Sequence, residues 1–139
     1  MLSGDGGPFG AVVVKDGQVI AAGHNQVLAD HDSTAHAEIS AIRQAEQRLG
    51  THDLSGCEIY TTCYPCPMCL SAALWARIST VHYACTSVQA ADAGFDDEVF
   101  YEAVRDPENS SMISLVHDQN ESCTLLFHEW NKLEGRQLY

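Results

Sequence analysis

The sequence predicts one layered α/β domain built on a mixed sheet. Three observations support this. Apolar, β-rich segments alternate with segments of helical spacing, the pattern of a layered α/β fold. The first two β-rich segments are separated only by Asp16-Gly17, so they form an antiparallel hairpin and the sheet cannot be all parallel. The chain has 139 residues, enough for one domain (1–139) and too few for two ordinary ones.

The hairpin strands are Ala11–Lys15 and Gln18–Ala22. Ile39, Ile42, Ala45 and Leu49 recur at helical spacing within 35–49, with Thr34 as the expected N-cap and Gly50 as the C-cap. "CEIYTT" (57–62) reads as a strand, after which Pro65 breaks the chain. "CPMCLSAALWARI" is an Ala- and Leu-rich helix, and "TVHYAC" (80–85) a buried strand. Residues 86–111 are polar, with short helical turns, and "MISLVH" (112–117) is a fifth strand. "TLLFHEWNKL" (124–133) closes the chain as an amphipathic helix ended by Gly135. Cys57, Cys85 and Cys123 read as small buried residues, and Cys63 as a core thiol at a strand end.

Charge narrows the function. Only seven Lys and Arg stand against nineteen Asp and Glu, and the basic residues form no cluster. A nucleic-acid binder needs a basic surface to neutralise phosphates, which argues against DNA or RNA as partner but not against a small neutral molecule. No apolar run approaches the ~20 residues that span a bilayer. The first residues, "MLSGDGGPFG", lack the basic and apolar regions of a secretory signal. The expected compartment is the cytoplasm, where paired cysteines more often hold metal than form disulfides.

The metal signal is specific. His36 lies two residues before Glu38, and Cys66 and Cys69 form a Pro-Cys-x-x-Cys pattern at the start of the next helix. One nitrogen and two thiolates leave the fourth position of a tetrahedral zinc open for water, the arrangement of a catalytic site; a structural site closes all four. Residues three apart on a first helical turn face the same way, and a helix N-terminus favours thiolates. Glu38 is placed to take a proton from water and return it to a leaving group. His-x-Glu followed by Pro-Cys-x-x-Cys is the pattern of zinc enzymes that deaminate nucleobases.

On these residues the chain resembles the cytidine deaminase-like superfamily, and within it the bacterial guanine deaminases. The likeness runs through "GGPFGAVVVKDG", "GHN", "STAHAEISAIR", "TTCYPCPMCLSA", "AGFDD" and the terminal "LY". It implies a three-layer α/β/α fold with a mixed five-stranded sheet. It also implies Zn2+ on His36, Cys66 and Cys69, and hydrolysis of guanine to xanthine and ammonia with Glu38 relaying protons. Carried over residue by residue, the resemblance places Asn25 and Asp97 on the base, with Asp96 the lesser candidate, and the backbone N–H groups of Ala37 and Cys66 beside it. Phe9 and Trp75 would wall the pocket and Tyr139 would close over it. A homodimer with exchange of the C-terminal segment is implied as well.

Two departures stand out. Tyr64 occupies the position before Pro65 where the family usually has an acidic residue, and the family helix before "GGPFG" has no counterpart in the five residues that precede it here. Either this sequence is a piece that starts after that helix or the protein lacks it; in the second case an apolar sheet face is left for a partner chain to cover. Other readings are a cytosine, cytidine or tRNA adenosine deaminase, a deaminase of another aminated purine or triazine, and a zinc-stabilised binding module. A binding module has no need of Glu38 beside an open metal position.

Overall fold

The computed structural model describes residues 2–138. Strands β1 (Gly10–Lys15) and β2 (Gln18–His24) form the expected hairpin, with Asp16 and Gly17 both at positive φ in the turn. The short turn α1 (Val27–Asp30) leads to helix α2 (Ala37–Leu49), then β3 (Cys57–Cys63), helix α3 (Pro67–Trp75) and β4 (Thr80–Cys85). Helices α4 (Ser87–Asp92), α5 (Glu98–Arg105) and α6 (Glu121–Lys132) follow. The sheet runs β2-β1-β3-β4; β1 is antiparallel to both neighbours and β4 is parallel to β3. The sheet is mixed, as expected.

It has four strands, however, and the expected fifth at 112–117 does not form. A strand exists only by pairing with a neighbour. Every described residue from 111 to 138 is exposed, so this part of the chain stands away from its own sheet. The outer edge of β4 is left open, and His82, Tyr83, Ala84 and Cys85 are exposed where a buried strand was expected. The same openness exposes Cys85, and Cys123 on α6 is exposed too; of the three cysteines expected to be buried only Cys57 is.

Helix α2 sets the geometry of the core. Ala37, Ala41 and Ala45, four apart, are fully buried, forming a stripe of small residues that lets the helix approach β1 and β2 closely. Gly23 on β2 is the other half of this contact, because a β-carbon there would lie 2.8 Å from the backbone nitrogen of Ala41. Ile39 and Ile42 join Val13, Leu54, Cys57 and Ile59 in the buried interior. The helix ends at Gly50 as expected, with φ of 70° and its N–H on the carbonyl of Glu46. Thr34 is not its N-cap: the helix starts at Ala37, and the Thr34 hydroxyl and N–H both donate to Asp32 Oδ1 at 2.7 Å, a local turn that competes with capping.

Candidate active site

Two helix starts converge. His36 is the N-cap residue of α2 and Cys66 that of α3, yet neither side chain caps its helix. Instead they turn toward each other. His36 Nδ1 lies 3.6 Å from Cys66 Sγ and 3.5 Å from Cys69 Sγ. A tetrahedral zinc with bonds of about 2.0–2.1 Å to nitrogen and 2.3 Å to sulfur separates these atoms by about 3.6 Å. The donor set therefore fits zinc in both chemistry and spacing, and Nδ1 is the ligating nitrogen. It is the one such group among the described residues, with all three ligand atoms within 4.8 Å of one another.

The electrostatics of this cluster describe a shared negative charge. The Cys69 thiol hydrogen-bonds Cys66 and, with His36 beside it, holds the Cys66 thiol well below its ordinary range, at about 4. The same bond, burial and the nearby Glu38 push the Cys69 thiol up. Contact with Cys66 raises His36. A dication there satisfies what these groups lack, since a coordinating thiol gives up its proton.

Glu38 is buried at 9% exposure, and burial raises its carboxyl above the ordinary value. It faces a cavity of about 900 Å3 that is also lined by His36 and Cys66. On one side of this cavity stands Asn25, itself buried. Its Oδ1 accepts from the backbone N–H of both Gly7 and Val27, each at 3.3 Å. That fixes the amide's orientation and leaves its NH2 as the group available to the cavity.

Asp96 and Asp97 also line the cavity, and they differ. Asp96 is exposed and its Oδ1 accepts from the N–H of Glu98, a turn bond. Asp97 is half-buried at the start of α5; burial and the Cys66 thiolate raise its carboxyl. Phe9 forms a wall, edge-on to Phe95 with centroids 4.9 Å apart. Ala37 is fully buried as the first residue of α2.

Trp75 is not brought to the cavity. It is the last residue of α3 and 62% exposed. Nine residues at 1.5 Å each put it about 13 Å along the axis from Cys66. Tyr139 lies outside the described residues. Sequence reasoning missed Tyr101, whose hydroxyl donates to the carbonyl of Pro65, and Phe95 and Phe100 as wall residues. The four-residue spacing from Asp97 to Tyr101 was the available signal. Tyr64 also lines the cavity; its ring is edge-on to Tyr83 at 5.0 Å, an aromatic wall where a carboxylate would have been solvated.

A sheet with two helix N-termini meeting over a His-Cys-Cys triad, and a buried glutamate beside the triad, defines a zinc-dependent hydrolytic deaminase. Residues 3–85 match the cytidine and deoxycytidylate deaminase zinc-binding region, and the chain belongs to this family. Among its relatives, the guanine deaminase of Bacillus subtilis is 44% identical over 137 residues, covering 99% of this chain and 88% of the relative. The solved structure of a B. subtilis guanine deaminase superposes with a TM-score of 0.94 at the same identity and coverage. A guanine deaminase from Nitrosomonas europaea aligns at 40% identity with a TM-score of 0.65, over 69% of this chain and 57% of that one. The tRNA-specific adenosine deaminase of Aquifex aeolicus is 49% identical, but over only 74 residues, 53% of this chain and 49% of the relative.

Proposed function

We propose that the chain hydrolyses guanine to xanthine and ammonia. The observation that carries this reading is the pairing of the metal triad and Glu38 with two further polar groups in one cavity, the NH2 of Asn25 and the carboxylate of Asp97. Guanine presents adjacent N–H donors along one edge and carbonyl and ring-nitrogen acceptors elsewhere. A carboxylate accepts two parallel donors, and a primary amide with its oxygen already engaged donates. Asp97 and Asn25 supply that complement, and Phe9 supplies an apolar wall for the ring.

Zinc held by His36, Cys66 and Cys69 would lower the pKa of a water toward about 7 and stabilise charge developing at the reacting centre. Glu38 takes the proton from the water and delivers it to the departing amine, so one water is consumed and one ammonia leaves. Its raised pKa suits a group that must both accept and donate a proton. In this reading the backbone N–H groups of Ala37 and Cys66 meet the substrate, which the lack of a side-chain cap at both helix starts supports.

The substrate is a free base rather than RNA. The likeness to tRNA adenosine deaminases covers about half of the chain, whereas that to a guanine deaminase covers nearly all of it. The acidic composition also disfavours a polyanion.

The functional unit we infer is a homodimer with exchanged C-terminal segments. The support is the open edge of β4 together with an exposed apolar arm that includes Ile113, Leu115, Val116, Leu126 and Phe127. Exchange of a terminal element is a low-cost route to a two-fold dimer, and it would cover both surfaces. Trp75, exposed on α3, and Tyr139 would then belong to the covered region. Among the described residues no helix is long and apolar enough to cross a membrane.

Ammonia release from a panel of guanine, adenine, cytosine, cytidine, guanosine and tRNA tests the substrate. Guanine is expected to be the best of the six; release from tRNA or cytidine without release from guanine would sink this reading.

A further inference from the structure

We propose that Tyr101 is a positioning residue that orients the peptide between Pro65 and Cys66 and ties it to the helix bearing Asp97. Asp97 opens α5 and Tyr101 follows one turn later, on the same side of the helix. The Tyr101 hydroxyl donates to the carbonyl of Pro65, which is itself buried. A peptide unit is planar, with its C=O and N–H pointing in opposite directions. Fixing the Pro65 carbonyl therefore also fixes the Cys66 N–H and the start of α3. This bond acts beside the one from the Leu70 N–H to the Cys66 carbonyl, which holds the other side of Cys66. Pro65 and Pro67 have no N–H to give, and of the flanking residues Tyr64 bonds outward, through its N–H to the carbonyl of Cys85. The Tyr101 ring is steadied by Tyr64, with centroids 5.9 Å apart, and its hydroxyl keeps its proton because burial raises its pKa. One side chain thus sets the distance between a metal-binding helix start and a carboxylate on another helix.

The proposal rests on the reading that Asp97 and the Cys66 N–H face the same base. The test compares wild type, Tyr101→Phe, Asp97→Asn and the double variant, all zinc-loaded. It measures guanine turnover and the rate of zinc transfer to a chromogenic chelator. Tyr101→Phe keeps the ring and loses only the donor, so the fold and about one zinc per chain should persist. Guanine kcat/KM should fall about tenfold, the scale of one hydrogen bond. In the Asp97→Asn background the further loss should be under about twofold, because the two residues act on one geometry. Zinc should leave Tyr101→Phe several-fold faster than wild type. Equal losses in both backgrounds, or a variant indistinguishable from wild type, would overturn the proposal. If Asp97→Asn alone changes nothing, or wild type does not act on guanine, the substrate reading has failed. Zinc transfer then judges Tyr101 by itself, and an unchanged rate rejects it.

Discussion

A β-carbon on Gly6 would collide with Oδ1 of Asn25 and lie 2.9 Å from the Asn25 carbonyl oxygen. The bare backbone at Gly6 is thus a condition for Asn25 standing where it does, held through Oδ1 by Gly7 and Val27. Gly6→Ala should therefore mimic Asn25→Ala. Both should lower guanine kcat/KM by about tenfold or more while leaving bound zinc unchanged, since neither residue is among the metal ligands. A Gly6→Ala enzyme with normal kinetics would show that the amide is not placed by this contact.

Glu38→Gln tests the proton relay. The amide matches the size and polarity of the carboxylate but cannot carry the proton, so turnover should drop by at least ~10²-fold with zinc and fold retained. Ammonia release near the wild-type rate would reassign the role.

The two aspartates separate cleanly. Asp96 accepts one N–H bond from Glu98 through Oδ1, which an asparagine preserves, so Asp96→Asn should be nearly silent. Asp97 faces the cavity half-buried, so Asp97→Asn should cost about ten- to a hundredfold in kcat/KM. Similar losses in both variants would mean that the loop does not read the base through Asp97.

Metal analysis should find about one zinc per chain, removable by a strong chelator with complete loss of activity and restored on adding zinc. His36→Ala should bind far less metal. An active protein free of zinc and of any substitute metal would end this account of the site.

The exchanged dimer predicts two results. Light scattering should report twice the chain mass, and deleting 136–139 should lower activity sharply without changing zinc content, because no ligand lies there. Full turnover by the truncated chain would exclude the tail from the site.

The hairpin, α2 and the Cys66–Cys69 pair were legible in the sequence because each depends on local rules, and His36 because it stands in a recognisable His-x-Glu motif. Asp16-Gly17 dictates a turn, apolar spacing dictates a helix, and Cys66 with Cys69 share a face by periodicity alone. Residues 112–117 have real strand propensity, but a strand is a relation between two segments, and in its own fold this one stays unpaired although the edge of β4 is open. Trp75 is a similar case, because helix length carries it away from the cavity of its own chain and no local rule says what it meets. Tyr101 stayed hidden because its spacing from Asp97 shows only a shared helix face, whereas its partner is a backbone carbonyl thirty-six residues away.

The contact of Gly23 with α2 has a consequence for how the site is inherited. His36 and Glu38 belong to a helix whose height above the sheet is set by a single hydrogen atom, with Ser40, Ala41 and the carbonyl of Ala37 crowded against it. A methyl group there would lift the start of α2 and move a metal ligand and a proton carrier together, though Gly23 touches neither chemistry nor substrate. The tolerance of the reaction centre is thus written into a position that a search for reactive groups would pass over. Variation at that position would change the machinery by shifting its foundation.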